Sequence, residues 1–295
     1  MHVAPYVSEQ KKKKKRRQKY FLIAAGVVIL YGVCTAVWWF IFRSPVFRLD
    51  AIVVQGNSQV ASSDIITLFQ SNMASEHGFL GSFLGQNNIL AWPDTISTSE
   101  MNLLPQLATA SVSKDYFSHT LTINVTERNP FGIWCFLNGT DQPTSGGDAS
   151  NNSADATDGS STVQSPDGDC YWFDNTGVLF EKAANTQGNL IFVVDDYSQS
   201  PRGLSQKVLP DEFTGNFISI MNVLHQTNLP VKDIELRDLS LDEVHAVLLN
   251  GPTIYFSLRF PANDYLAVIQ SIASQPGFAN LQYIDCRTED RVYYK

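Results

Sequence analysis

The sequence predicts an α+β fold that follows a single N-terminal membrane helix. A segment of 23 residues without a charged side chain, Tyr20–Phe42, predicts the membrane helix. The 253 residues after it alternate between period-two and helical patterns of apolar side chains, which is typical of an α+β chain. That length is sufficient for one large domain or two medium domains with cores of their own.

The membrane helix is favoured because its apolar segment is long. At the rise of an α-helix, residues 20–42 would extend for about 35 Å, enough to cross a hydrocarbon core with modest tilt. Trp38, Trp39 and Phe40 lie at the far end, and aromatic rings prefer the membrane interface. A cleaved signal peptide is the less favoured alternative, because its apolar run is shorter and ends in small residues.

The charges are divided between the two sides of this helix. Residues 1–19 contain eight Lys and Arg and one acid, Glu9, which predicts a basic cytoplasmic tail that orients the helix or contacts anionic lipid. The remaining 13 basic and 28 acidic residues give the exterior part a net charge near −15. Such a surface disfavours nucleic acid as a partner.

Residues 43–128 predict the order strand, helix, helix, strand, strand. The first strand covers Val46–Val54, and Ser62 or Ser63 can cap the helix that follows. In the last strand, Thr120–Thr126, apolar and polar side chains alternate, as expected for a strand with one buried face.

Residues 129–295 predict a mixed α/β domain with an extended antiparallel sheet. The strand Phe131–Leu137 and a hairpin that begins at Cys170 flank a polar stretch, 138–169. This stretch is predicted to be disordered because it has too little apolar surface to offset the entropy of ordering. Asn250-Gly251 predicts a tight turn between two later strands.

Two of the four cysteines bracket the polar stretch. Cys135 and Cys170 could meet across the hairpin, and an exterior compartment permits a disulfide. Residues that flank a loop can also be neighbours without suitable Cβ geometry, so the bonded and the free state both stay open. Cys34 is predicted to be a small apolar filler of the membrane helix, and Cys286 to lie half-buried in a strand.

The sequence contains no constellation that predicts catalysis. None of its five histidines forms a metal-binding spacing with another histidine or a cysteine, and nucleotide-binding and hydrolase motifs do not occur. Asp195 and Asp196 form an acidic pair, but neighbours in a strand point to opposite faces. We therefore expect no enzymatic activity, no cofactor, no metal and no small-molecule substrate.

The C-terminal residues predict an exposed sheet edge. Leu281–Arg287 and Val292–Tyr294 are both strand-like. An uncovered edge presents unpaired backbone groups, which are a template for the addition of another strand. The alternative is that the charged side chains between and after these strands merely blunt the edge, and the residues alone do not separate the two interpretations.

Four segments together carry a resemblance to a known family. They are Phe47–Asn57 (FRLDAIVVQGN), Leu121–Trp134 (LTINVTERNPFGIW), Tyr171–Glu181 (YWFDNTGVLFE) and Leu281–Arg287 (LQYIDCR). With the element order above, the chain resembles the bacterial cell-division protein family FtsQ/DivIB. Departures from that family include the polar stretch 138–169, which is longer than the usual tight hairpin, and Cys286, which stands where the family's last motif has leucine.

The resemblance implies a POTRA domain at 43–128 and an FtsQ/DivIB-type β domain at 129–295. It also implies a non-catalytic scaffold of the division machinery in the plasma (inner) membrane at the septum, with a cytoplasmic N-terminus. The POTRA domain would serve in recruitment, and the end of the β domain would receive a strand from a coiled-coil partner of the FtsB/DivIC type, which associates with FtsL. A membrane-tethered sensor or ligand-binding module is the alternative.

The family's partner-binding edge can be carried onto matching positions of this chain. Backbone groups near the end would form the ladder, and side chains would set its register. The residues expected there are Tyr283, Asp285, Arg287, Val292, Tyr293 and Tyr294.

Overall fold

The chain folds into two compact units, of which the computed structural model describes residues 6–76, 84–137, 169–184 and 191–295. The first unit comprises Met1–Glu100 and Thr109–Val125, and the second comprises Met101–Ala108 and Thr126–Lys295. The division after Val125 lies close to the predicted boundary between residues 128 and 129. The short segment Met101–Ala108 belongs to the second unit, although it precedes the predicted boundary.

The first described element is a long helix whose second part is apolar. Helix α1 covers Tyr6–Arg43, and within it the segment Lys19–Phe42 is long and apolar enough to cross a membrane. None of that segment is buried against other parts of the chain. The predicted N-terminal apolar helix is thus confirmed, and its side chains are free to face lipid.

The first unit contains a three-stranded sheet with strand order β1-β3-β2. Its strands are β1 (Ala51–Gln55), β2 (Leu107–Asp115) and β3 (Thr120–Glu127), and its helices are α2 (Ser62–Glu76) and α3 (Thr98–Met101), with a 3₁₀ turn at Ile89–Ala91. Strands β1 and β3 run parallel, with Ile52 opposite Leu121. Leu121 and Ile123 are buried while Asn124 is exposed, as the alternation in the sequence predicts.

The second unit contains a nine-stranded sheet with the order β12-β11-β10-β9-β8-β7-β4-β5-β6. Its first strands are β4 (Gly132–Phe136), β5 (Asp169–Phe173), β6 (Leu179–Lys182), β7 (Val193–Asp196) and β8 (Val231–Leu236). The others are β9 (Glu243–Leu248), β10 (Thr253–Ser257), β11 (Tyr283–Thr288) and β12 (Arg291–Tyr294). Two helices complete the unit, α4 (Asp211–Thr227) and α5 (Tyr265–Ala273).

This sheet is mixed, and the prediction of an extended antiparallel sheet is wrong in that respect. Three neighbouring pairs run parallel: β4 with β7, β7 with β8, and β10 with β11. Parallel neighbours need a crossover connection, and helices are the usual form of it. Here α4 connects β7 to β8, and α5 connects β10 to β11.

The two faces of the sheet differ in polarity. On one face a row of directly paired residues is buried: Trp134, Val194, Ile234, Ala246, Ile254 and Ile284. Phe217 of α4 and Ile269 of α5 belong to the same core cluster, so both helices cover this face. The next row lies on the opposite face and is mostly polar: Cys135, Asp195, Glu235, His245, Tyr255, Asp285 and Tyr293.

Cys135 and Cys170 are joined by a disulfide between β4 and β5. The two residues are directly opposite in the register, with Cα atoms 4.0 Å apart. That short separation is typical of a pair without backbone hydrogen bonds to each other, where side chains approach closely. The polar stretch predicted to be disordered, 138–169, lies outside the described residues except for Asp169, which begins β5.

Candidate functional site

The candidate site lies at the edge of the nine-stranded sheet formed by β12. A hairpin with a turn at Glu289 and Asp290 connects β11 to β12, and Thr288 is paired with Arg291 across it. Asp290 has a φ of 60°, a left-handed conformation that Asp tolerates better than most residues. The turn residue therefore suits the tight reversal that places β12 outside β11.

The backbone of β12 is paired on one side only. Asp285 is opposite Tyr293, and the Lys295 N–H donates to the Tyr283 carbonyl at 3.3 Å. Since inward and outward groups alternate along an antiparallel strand, the N–H and C=O groups of Val292 and Tyr294 point away from β11. In the described part of the chain, no backbone group bonds to that outer side.

The opposite edge of the same sheet, formed by β6, is partly covered by a loop. There the Leu179 N–H of β6 donates to the Gln206 carbonyl at 2.9 Å, and the Ser205 N–H donates to the Leu179 carbonyl at 2.7 Å. A loop segment thus covers the start of β6, which is a common way to blunt an edge. Strand β12 has no such cover among the described residues, so the two edges differ in their capacity to accept a strand.

The side chains of β12 continue both faces of the sheet. Tyr294 is paired with the buried Ile284, yet its own side chain is 49% exposed because no described strand lies beyond it. Val292 points to the same face and packs against the core. Tyr293 lies on the polar face beside Asp285 and is also 49% exposed. A strand added to this edge would cover apolar surface on one face and a tyrosine on the other.

The six expected partner-binding residues do not all lie on the edge strand. Val292, Tyr293 and Tyr294 belong to β12, whereas Tyr283, Asp285 and Arg287 belong to β11. Strand β11 is paired with β10 on one side and with β12 on the other. These three residues can contribute side chains to the site, while a ladder with a partner can form only on β12.

Arg287 holds a compact charged cluster beside the edge. Its guanidinium donates to Asp285 at 2.6 and 2.9 Å and to Glu243 at 2.9 and 3.0 Å, and it lies 5.0 Å from the centre of the Tyr255 ring. The hydrogen bond to Asp285 raises the pKa of Arg287, and the same bond lowers the pKa of Asp285. Both groups therefore stay charged, and the two carboxylates leave no surplus positive charge for an anionic ligand.

No family model and no curated protein matches the chain. The site is therefore defined by the chain's own residues and geometry.

Three residues of this cluster were missed by the sequence analysis. Glu243, His245 and Tyr255 line the same shallow cavity as Tyr283, Asp285 and Arg287. His245 and Tyr255 are directly opposite, with ring centres 4.7 Å apart, and burial lowers the pKa of His245. The turn signal at Asn250-Gly251 predicted that β9 pairs with β10, but nothing local indicated that β11 lies beside them.

The acidic pair Asp195-Asp196 is divided between the two faces, as predicted. Asp196 is fully buried and accepts hydrogen bonds from Trp134 Nε1 at 3.1 Å, from the Ser198 N–H at 2.9 Å and from Gln199 Nε2 at 2.7 Å. Asp196 therefore has a structural role, because it fixes the loop after β7. Asp195 faces the polar side, near Asp233 and Glu235.

Proposed function

We propose that this chain is a membrane-anchored, non-catalytic scaffold of the bacterial division machinery, similar to the FtsQ/DivIB family. Its N-terminus is cytoplasmic, and its POTRA domain (43–128) and β domain (129–295) lie outside the membrane at the septum. The β domain binds a coiled-coil partner of the FtsB/DivIC type, with FtsL associated, and the POTRA domain serves in recruitment.

The observation that carries the proposal is the unpaired outer side of β12. Val292 and Tyr294 offer two N–H donors and two C=O acceptors in the spacing of a strand. A partner strand would exchange bonds with water for bonds in the ladder, each with a net gain of about 1 kcal/mol. Burial of the half-exposed Tyr293 and Tyr294 side chains would add to this gain.

The N-terminal segment supports the membrane anchor. Helix α1 includes a segment, Lys19–Phe42, that is long and apolar enough to span. Seven of the eight basic residues of the tail precede this segment, and the eighth, Lys19, begins it. An excess of Lys and Arg favours the cytoplasmic side. In the proposed orientation, the acidic remainder of the chain lies outside.

A proline substitution in β12 tests the partner-binding edge. Val292→Pro removes an outward N–H, and proline is tolerated at an edge where that group faces solvent. We expect the fold to persist and the affinity for a purified FtsB/DivIC-type partner to fall about tenfold or more, because one ladder bond is lost and the ring obstructs the partner strand.

Val292→Thr is the matched control, since it keeps both the N–H and a β-branched side chain. Circular dichroism and thermal unfolding of the full chain in detergent would establish that both variants are folded. Unchanged binding by the folded Val292→Pro variant would show that the partner does not pair with β12.

A sensor or ligand-binding module is the second candidate, and one cavity favours it. A cavity of about 550 Å³ in the second unit is lined by mainly apolar residues, among them Phe131, Phe192 and Leu229, with His225 as a polar group. This volume falls in the range of small-molecule sites. A ligand screen by thermal shift would favour this function if a compound stabilises the chain without any division partner.

A further inference from the structure

One aromatic side chain of the first unit is almost completely exposed. Phe117 is 98% exposed and lies in the turn that connects β2 to β3. The turn is held in place by Asp115, whose Oδ1 accepts from the Phe117 N–H at 2.9 Å and from the Ser118 N–H at 3.2 Å. The hydrogen bonds therefore fix a tip that presents a large apolar ring outward.

The topology of the sheet places this tip at the end nearest the apolar helix. Strands β1 and β3 are parallel, so their first residues lie at the same end of the sheet. Strand β1 begins at Ala51, shortly after α1 ends at Arg43, and the turn immediately precedes β3. The Asp50 N–H donates to the His119 carbonyl at 2.9 Å, which joins the turn to the segment that leaves the helix.

Aromatic rings form a continuous series from the helix to this turn. The ring of Phe40, in α1, lies 5.8 Å from that of Phe47, and Phe47 lies 6.2 Å from Tyr116. Both contacts are edge-to-face, a favourable arrangement of aromatic pairs. Phe117 follows Tyr116 directly in the turn. The ring contacts thus connect the apolar segment Lys19–Phe42 with the turn that carries Phe117.

We propose that the β2–β3 turn is a second membrane contact, in which Phe117 and Tyr116 insert into the interfacial region of the bilayer that α1 crosses. The inference rests on the membrane crossing in the proposed function. Lipid is the occupant because the ring series starts within the spanning segment and because aromatic side chains favour the interface. The contact would restrict how the first unit rotates about its tether.

Depth-dependent quenching in nanodiscs tests this contact. The full chain with Cys34→Ala receives one new thiol for an environment-sensitive fluorophore, at Ser118→Cys in the turn or at Asn124→Cys near the far end of β3. Cys286 is fully buried, and Cys135 and Cys170 are bonded to each other, so none of the three competes for the label.

A third label position, Tyr31→Cys, reports on the spanning segment itself. The nanodiscs contain phosphatidylcholine and phosphatidylglycerol with nitroxide groups at the headgroup or along the acyl chain.

We expect headgroup nitroxides to quench the label at position 118 strongly and the label at position 124 weakly. Phe117→Ser should reduce quenching at position 118 toward the level at position 124. Leu103→Ser is the matched control, because Leu103 is 69% exposed but belongs to the second unit, and it should leave the quenching unchanged.

The outcomes separate this inference from the proposed anchor. If the label at position 31 is quenched by acyl-chain nitroxides but the label at position 118 behaves like that at position 124, the turn does not contact lipid and the anchor stands. If position 31 is not quenched either, the membrane crossing and the contact that depends on it are both overturned.

Discussion

Asp195 is a carboxylate whose ionised form is disfavoured by its surroundings. Burial, together with the nearby charges of Asp233 and Glu235, raises its pKa from 3.8 to about 6, and Lys232 opposes the shift. The folded state therefore binds a proton at Asp195 more tightly than the unfolded state does. As a result, the contribution of Asp195 to the free energy of unfolding decreases as the pH rises from about 4 to about 6.

We expect Asp195→Asn to stabilise the chain at neutral pH by up to about 3 kcal/mol, since the pKa rises from 3.8 to about 6 and one pKa unit corresponds to about 1.4 kcal/mol. The gain should shrink as the pH falls and vanish below about pH 4, where the carboxyl is protonated in both states. Denaturant unfolding across this pH range measures the difference. Glu181→Gln, which removes an exposed carboxylate on β6, controls for the loss of one negative charge. A gain that is independent of pH would contradict this account of Asp195.

At the residue scale, Arg128 forms an ion pair that its sequence motif does not predict. The resemblance includes its Glu-Arg-Asn-Pro segment, but not the partner that Arg128 finds 46 residues later. In the structure its guanidinium lies 2.5 Å from Asp174, and both side chains are largely buried. Burial alone would raise the pKa of Asp174, but hydrogen bonds from Thr176, Val178 and Arg128 lower it overall. The ion pair therefore joins the segment before β4 to the turn between β5 and β6.

At the scale of elements, the disulfide closes the hairpin of β4 and β5. It bridges residues that are 35 positions apart, and both cysteines are buried beside Leu137 and Ala183. In the chain-entropy model a loop of this length contributes about 3–4 kcal/mol by restricting the unfolded state. We expect Cys135→Ala with Cys170→Ala to lower the free energy of unfolding by about that amount.

Thermal or denaturant unfolding with and without reductant measures this contribution. Reductant should destabilise the wild-type chain and leave the double variant unchanged, which separates loss of the bond from other effects of the substitutions. Peptide mapping under non-reducing conditions should recover the two cysteines in one linked pair. Recovery of free thiols at both positions would refute the linkage.

The elements that the sequence predicts well are those with strong local signals. The alternation around Leu121 and Ile123 and the turn at Asn250-Gly251 both depend on neighbouring residues, and the structure contains the strand and the hairpin that they predict. Strand pairing across a helix has no such local signal. The parallel pairs made by α4 and α5 were therefore missed, and the sheet was expected to be antiparallel.

The candidate site was predictable in part for the same reason. The adjacency of β11 and β12 follows from a short connection, so Val292–Tyr294 could be expected beside Tyr283–Arg287. The ion pair between Arg287 and Glu243 joins residues that are 44 positions apart, and only the crossover through α5 brings them together. The sequence did not predict that β11 is paired on both sides, because its pairing with β10 depends on that crossover as well.

At the scale of the whole molecule, the proposed function combines a membrane tether with a binding edge. The edge of β12 offers only a short strand of four residues, Arg291–Tyr294, so its ladder alone gives modest affinity. A partner whose own helix is anchored in the same bilayer is confined near the chain. Confinement turns the second contact into an intramolecular step with a high effective concentration.

We therefore expect membrane anchoring of the partner to determine how much of it is bound. The full chain, reconstituted in vesicles, would be titrated with an FtsB/DivIC-type partner that is either co-inserted through its helix or supplied as a soluble exterior segment. Apparent affinity should be higher by about two orders of magnitude for the co-inserted form, which is the lower end of the usual range for linked sites. The same partner inserted in separate vesicles is the control for its membrane environment. Val292→Pro should weaken binding of the co-inserted and of the soluble partner alike, because it acts on the ladder. Equal affinity of the co-inserted and the soluble partner would mean that the edge binds by itself and that α1 contributes only localisation.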